Sequence, residues 1–277
     1  MPQAFLEAAT SGASGGGVLA CRGVVLRIAV LVTSVLLPVA ASAASPATET
    51  LTIRGREQTL SVYGARGGPV AVVASGDGGW THLGPAVAEF LSGKGYFVVG
   101  FDSKAYLSSF TSGGKTLATT DVPGDFLALL DYASRGASTR PVLFGVSEGA
   151  ALAVLAATSD ATKSRMAGVV ALGLPDEAEL GWRFRDSIIY VTKGVPNEPL
   201  FSTAEWIGRV APLPLVAIHS TRDEFVGVDE VRRVMSRALE PKQLWLIEAE
   251  DHRFSGKEKD LNQKIMDAVA WIKAERH

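Results

Sequence analysis

Residues 143–150 read Leu143-Phe144-Gly145-Val146-Ser147-Glu148-Gly149-Ala150. An apolar run from Pro141 to Phe144 stops at this Gly-x-Ser-x-Gly string, and a run of small residues, Ala150 to Ala157, follows it. The order predicts a buried strand over 141–146, a sharp turn, and a helix from Ser147 to about Thr158, which is the setting of a nucleophile elbow. The turn requires a strained backbone at Ser147, and side chains at 145 and 149 would collide with the neighbouring strand and helix. Ala150, Ala151 and Ala153 let the helix pack closely under a sheet.

Outward from this stretch the chain repeats one unit, an apolar strand followed by a loop and an amphipathic helix. Upstream, Thr50–Arg54 and Thr59–Tyr63 alternate as an antiparallel hairpin. Val70–Ala74 is a strand running into Ser75-Gly76-Asp77-Gly78-Gly79-Trp80, and a helix spans about Leu83 to Ser92. Tyr96–Phe101 is a strand, 103–120 reads as a Ser/Thr/Gly-rich loop, and Asp121–Tyr132 is a helix with Asp121 as N-cap and Pro123 in its first turn. Downstream come strands at Met166–Leu172, Ser187–Thr192, Leu215–Ser220 and Gln243–Glu248. Helices are expected near Ala204–Ile207, at Val228–Ala238 and at Lys257–Lys273, the last with Ile265, Val269 and Ile272 on one face. Buried strands alternating with helices imply an α/β fold of the α/β-hydrolase type, with a mostly parallel sheet covered on both faces. One such domain is expected over 45–277.

Residues 1–44 have another character. The first 21 are rich in Gly, Ala and Ser; Arg22 and Arg27 then precede an apolar segment, Ile28 to Val39, and an exit tract Ala40-Ala41-Ser42-Ala43-Ala44. Basic, apolar and small-residue regions in that order describe a signal peptide cleaved after Ala43 or Ala44, and hence a periplasmic protein. The alternative is an uncleaved leader that anchors the chain to the inner membrane, although its apolar core is short for a span. The expectation for the residues before Arg22, unusual in a leader, is a start codon assigned upstream of the true one. The single cysteine, Cys21, lies on the leader side, so the mature domain has no thiol for a disulfide, a metal site or a nucleophile. A net charge of -2 argues against broad electrostatic binding to nucleic acid.

Serine becomes a useful nucleophile when a base takes its proton and a carboxylate holds that base. In the elbow-type fold the order is Ser, then acid, then His, each on a loop after a strand. His252 follows the last strand and is the expected base; His219 lies within a strand and reads as structural, and His277 is the final residue. Asp223, just after the strand 215–220, is the expected acid, in competition with Glu224, Asp176 and Asp251. The backbone N–H groups of Asp77 and Glu148 are the expected oxyanion hole. Gly76 and Gly78 let that loop approach a substrate, and Trp80, Tyr106 and Phe110 are expected to line the mouth. A phosphate loop is excluded, because no Gly-Lys-Ser/Thr is present. The chemistry needs no metal or organic cofactor.

Ser75-Gly76-Asp77-Gly78-Gly79-Trp80, Val99-Gly100-Phe101-Asp102-Ser103 and the elbow together resemble the VirJ/AcvB family of exported bacterial α/β-hydrolase-fold proteins. The likeness covers about residues 70 to 274, and the Ser-Gly-Asp-Gly-Gly-Trp loop is its most specific part. It implies a virulence-associated hydrolase acting on lysyl- or alanyl-phosphatidylglycerol, with Ser147 as nucleophile, contact at the membrane surface and protein partners in the envelope. Two departures stand out. The family elbow often has an aromatic after the serine, followed by Gly-Ala-Asp, where this chain has Glu148 and then Gly149-Ala150-Ala151; near Asp102 the family's basic and aromatic stretch is Lys104-Ala105-Tyr106. Glu148 or Asp77 is expected to meet the amine of an aminoacyl ester and Lys104 its phosphate; otherwise Glu148 is solvent-exposed and Asp77 caps a turn. The competing readings are an envelope esterase or peptidase for another small ester or amide, and a non-catalytic binding factor of a secretion or virulence complex.

Overall fold

A computed structural model describes residues 46–183 and 198–275. The leader expected within 1–44 and the strand expected at 187–192 lie outside the described residues. Two antiparallel strands, β1 (Ala47–Ile53) and β2 (Arg56–Tyr63), begin the domain. They are followed by β3 (Val70–Ala74), α1 (Leu83–Gly93), β4 (Phe97–Phe101), α2 (Ser103–Phe110) and α3 (Asp121–Ala133). The elbow region supplies β5 (Val142–Val146) and α4 (Glu148–Ala156), then α5 (Asp160–Arg165) and β6 (Gly168–Leu172). Short strands β7 (Glu177–Glu179) and β8 (Leu200–Ser202) pair with each other, and α6 (Thr203–Trp206) runs into a 3-10 turn. The rest is β9 (Leu215–Ser220), α7 (Val228–Arg237), β10 (Lys242–Ile247) and α8 (Glu258–Ala274).

The main sheet has eight strands in the order β1-β2-β4-β3-β5-β6-β9-β10. Only the β1–β2 and β2–β4 pairings are antiparallel. Alternation along each strand sends its residues to opposite faces. Val72, Val99, Leu143, Val169 and Leu215 pack with α3, α4 and α7, whereas Val73, Val98, Phe144, Val170 and Val216 pack with α1 and α8. Burial on both faces is why these strands read as unbroken apolar runs. The chain winds outward from β3 to β4 and then returns across β3 to β5, so the order reverses between β3 and β5. Ligand crevices of open α/β sheets lie at the carboxyl ends of strands flanking such a reversal.

Two sequence expectations are corrected here. The stretch 103–120 is not all loop: Ser103–Phe110 is helical, because the Asp102 carboxylate caps it by accepting from the Ala105 N–H at 2.9 Å. Thr120, not Asp121, occupies the N-cap of α3, and the Asp121 side chain accepts from the Ala118 N–H at 2.8 Å.

At the elbow a β-carbon added to Gly145 would lie 2.3 Å from the Gly149 carbonyl oxygen, and one added to Gly149 would lie 2.3 Å from the Ser75 carbonyl oxygen. Both obstructions are backbone, so neither can swing aside. Gly149→Ala is therefore expected to cost about 1–3 kcal/mol or more of stability, read from the urea midpoint. A loss below about 0.5 kcal/mol, the range of ordinary surface changes, would show that α4 has room to move from the sheet.

Candidate active site

Ser147 joins β5 to α4 with φ 52 and ψ -119, a region that L-residues rarely occupy. Its N–H donates to the Leu172 carbonyl at 2.8 Å, and its own carbonyl accepts from Ala150 at 2.7 Å. The N–H groups of Glu148 and Gly149 open α4 and have no acceptor within the helix. The loop after β3 passes directly over this turn, since a β-carbon on Gly76 would sit 3.2 Å from the Ser147 β-carbon. Gly76, Asp77, Gly78 and Gly79 border the same cavity as Ser147. The two backbone stretches expected to form the oxyanion hole are thus adjacent.

Asp102 and Gly100 shape that loop. The Asp102 carboxylate that caps α2 also accepts from the Trp80 N–H at 3.1 Å, and the Ser75 hydroxyl accepts from the Ser103 N–H at 3.1 Å. The Trp80 indole lies across the sheet, where a β-carbon on Gly100 would come within 2.2 Å of the ring. Its indole N–H donates to the Tyr63 hydroxyl at 3.2 Å. Trp80 therefore packs under the loop and does not line the main cavity, contrary to the sequence expectation. Tyr106 is likewise withdrawn. It is fully buried, edge-on to Phe110 and Phe126, and donates to the Asp125 carboxylate at 2.7 Å. That carboxylate also receives both arms of the Arg54 guanidinium, and Arg54 stacks over Phe110. These aromatics join the β1–β2 turn to α2 and α3.

On the other side of Ser147, the His252 Nδ1–H donates to Asp223 Oδ2 at 2.5 Å. Asp223 Oδ1 accepts from the N–H groups of Phe225 and Val226, each at 2.9 Å. Burial alone would raise the Asp223 carboxyl; the bond to and attraction of His252, with the two amides, outweigh it and hold the group below its ordinary value. The competing acids are engaged elsewhere. Glu224 accepts from the His252 backbone N–H at 2.7 Å. Asp176 is bonded to Ser202 and Ala204 and paired with Arg233, and Asp251 caps the turn to Ser255. His252 packs over Gly173, where a β-carbon would lie 2.5 Å from the ring, and the Phe225 ring meets it edge-on at 5.5 Å.

Ser147 and His252 share a cavity of about 590 Å³, within the usual size of small-molecule sites, about 300–1,000 Å³. Its lining includes the carboxylates Asp77, Glu148, Glu177 and Glu179 and the basic side chains Lys104, His82 and Arg253. The Lys104 ammonium lies 4.3 Å over the Trp182 ring. Glu148 is not solvent-exposed: it is buried, and its Oε1 accepts from the Glu179 N–H at 2.7 Å. Burial first, then the nearby Glu179 carboxylate and that of Asp77, push the Glu148 carboxyl well up and favour its neutral form, while the hydrogen bond from the Glu179 amide pulls the other way. Trp182, Glu177, Glu179, Phe225 and His82 were not foreseen as lining residues. His82 alone carries a signal after the fact, an exposed non-glycine residue at φ 54.

Fold and site together define an α/β hydrolase-fold protein with a serine at its elbow. Est1E from Butyrivibrio proteoclasticus shares the fold at 13% identity and TM-score 0.60, with 82% of this chain and 99% of that one covered. The Pyrococcus furiosus esterase Pf2001 does so at 18% identity and TM-score 0.60, covering 82% and 90%. A membrane phospholipase A described as a novel bacterial virulence factor matches at 12% identity and TM-score 0.57, covering 83% and 87%. No protein of curated function matches by sequence. The chain belongs to the family described as "Bacterial virulence protein (VirJ)", whose profile matches residues 68–273. Among the described residues no helix is long and apolar enough to cross a membrane.

The raised Glu148 group fixes the sign of one pH effect. Unfolded, this carboxyl ionises in the ordinary range; folded, it keeps its proton to higher pH, so stability falls as pH rises from the unfolded value towards the folded one. Glu148→Gln keeps an acceptor for the Glu179 N–H and has no proton to lose. It is expected to match the wild type near pH 4 and to melt higher at pH 8, by roughly 2–4 °C for each kcal/mol regained. Equal melting temperatures at pH 8 would contradict the upward shift of Glu148.

Proposed function

We propose that this protein is a periplasmic serine hydrolase that removes the amino acid from aminoacyl-phosphatidylglycerol, with lysyl or alanyl as the acyl group. The observation that carries the reading is the convergence of the strained Ser147, the Asp223-bonded His252 and the Asp77–Glu148 backbone on one cavity lined by both acidic and basic side chains. With Nδ1–H given to Asp223, Nε2 is the His252 nitrogen left to take the Ser147 proton. Ser147 Oγ then attacks the aminoacyl carbonyl, and the N–H groups of Asp77 and Glu148 hold the oxyanion. His252 returns the proton to the glycerol oxygen as phosphatidylglycerol leaves. Water, activated by the same imidazole, releases the amino acid from the acyl-enzyme.

A lining that carries both carboxylates and cations supports a substrate with both an amine and a phosphate. Because Glu148 is held towards its neutral form, the amine falls to Asp77 and Glu177, and the phosphate to Lys104. Gly76 and Gly78 bring the loop close to the ester. Export and a peripheral contact with the membrane follow from the leader reading and a lipid substrate. The second reading, an envelope esterase for another small ester, is favoured by the esterases among the structural neighbours.

The test is release of free amino acid from lysyl- and alanyl-phosphatidylglycerol by the purified protein. Ser147→Ala is expected to lower kcat/KM by about 10⁴-fold or more, and Lys104→Met to raise KM about tenfold through loss of one charged contact. Hydrolysis of neutral esters without release from either lipid would move the assignment to the second reading. Unchanged turnover in Ser147→Ala would refute the nucleophile.

A further inference from the structure

His219 is a titratable group that the proposed reaction does not use. It sits in β9, on the face that Leu215 and Ala217 give to the core, and is fully buried. Its Nε2 lies 2.9 Å from the Val226 carbonyl oxygen. A carbonyl can only accept, so Nε2 carries the ring proton. Nδ1 is then a bare acceptor, and it has no hydrogen-bond partner among the described residues. A leucine would fill the same place without burying an unpartnered polar atom, so core packing does not account for this side chain.

What the imidazole does is close a short turn. Val226 gives its carbonyl to His219 and its N–H to Asp223 Oδ1, and the Phe225 N–H goes to the same oxygen. The turn is thereby tied to the strand at one end and to the carboxylate at the other. With Oδ1 held by two amides, Oδ2 is directed at His252. His219 Nε2 is also 3.8 Å from Asp223 Oδ2, so its N–H lies close to the carboxylate while bonded to Val226. Burial lowers the proton affinity of His219, against Asp223, the Val226 carbonyl and Glu230, while His252 adds to the lowering. The ring is thereby held towards its neutral form.

We propose that His219 is a positioning residue, which locks the Asp223–Val226 turn through its Nε2–H so that Asp223 presents Oδ2 to His252. This rests on the reading of Asp223 and His252 as the acid–base pair, and the test separates the two. His219→Phe keeps a flat ring without the N–H; His219→Gln places a side-chain N–H where it reaches the Val226 carbonyl. The first readout is the far-downfield proton NMR resonance of the His252 Nδ1–H in the full protein, and the second is kcat and KM on 4-nitrophenyl butyrate. The expectation for His219→Phe is a folded protein whose downfield resonance is lost and whose kcat is about tenfold lower with KM within about twofold, a change of about 1.4 kcal/mol by the rate conversion. His219→Gln regains the resonance and most of the rate. An unchanged resonance in folded His219→Phe, or a Gln variant no better than Phe, overturns the proposal. Absence of Ser147-dependent turnover in the wild type would strike the hydrolase reading alone, and the resonance would still decide the role of His219.

Discussion

The structure depends on a close approach of backbone to backbone at the elbow. α4 starts immediately after β5 and lies so near the sheet that Gly145 and Gly149 have no room for a β-carbon. Every residue of α4 from Glu148 to Ala156 is buried, which is why the helix is built from alanines and lacks a polar face. This closeness forces Ser147 to its unusual φ, stands its hydroxyl above the sheet, and points the first N–H groups of α4 at the same space. Strain of this sort costs about 1–3 kcal/mol and is held by two large core clusters, one on each face of the sheet.

A second constraint fixes the opposite wall of the cavity. The glycine-rich loop after β3 contributes few side chains of its own, yet it is not left loose. Asp102, at the end of β4, binds the Trp80 N–H and caps α2 with the same carboxylate, while Gly100 leaves space for the indole. The Ser-Gly-Asp-Gly-Gly-Trp loop and the Val-Gly-Phe-Asp-Ser strand end are therefore two halves of one device, which explains why a likeness to the family rests on both. On the far side, Glu224 holds the His252 backbone and Asp223 its ring, so consecutive carboxylates orient a single histidine.

Much of the fold was legible because both faces of the sheet are covered: β3, from Val70 to Ala74, is apolar throughout, β9, from Leu215 to Ser220, is apolar as far as Ile218, and both have the expected bounds. The placement of Ser147, Asp223 and His252 was legible because the fold prescribes which strand precedes each. Three things were not. α2 was missed since its helix depends on one cap, Asp102, more than on composition. Trp80 and Tyr106 were placed at the mouth because aromatics beside a motif suggest contact, whereas a glycine on a neighbouring strand and the Asp125–Arg54 pair draw them inward. The burial of Glu148 is set by Glu179, 31 positions away on a short strand with no periodicity to announce it.

The central claim is that Ser147 is a nucleophile activated by His252. Peptide mapping by mass spectrometry, after brief exposure of the folded protein to a fluorophosphonate, tests it most directly. The account predicts a single adduct on Ser147 in the wild type and none in an equally folded His252→Ala variant. An unlabelled Ser147 in the wild type, or equal labelling without His252, would contradict it.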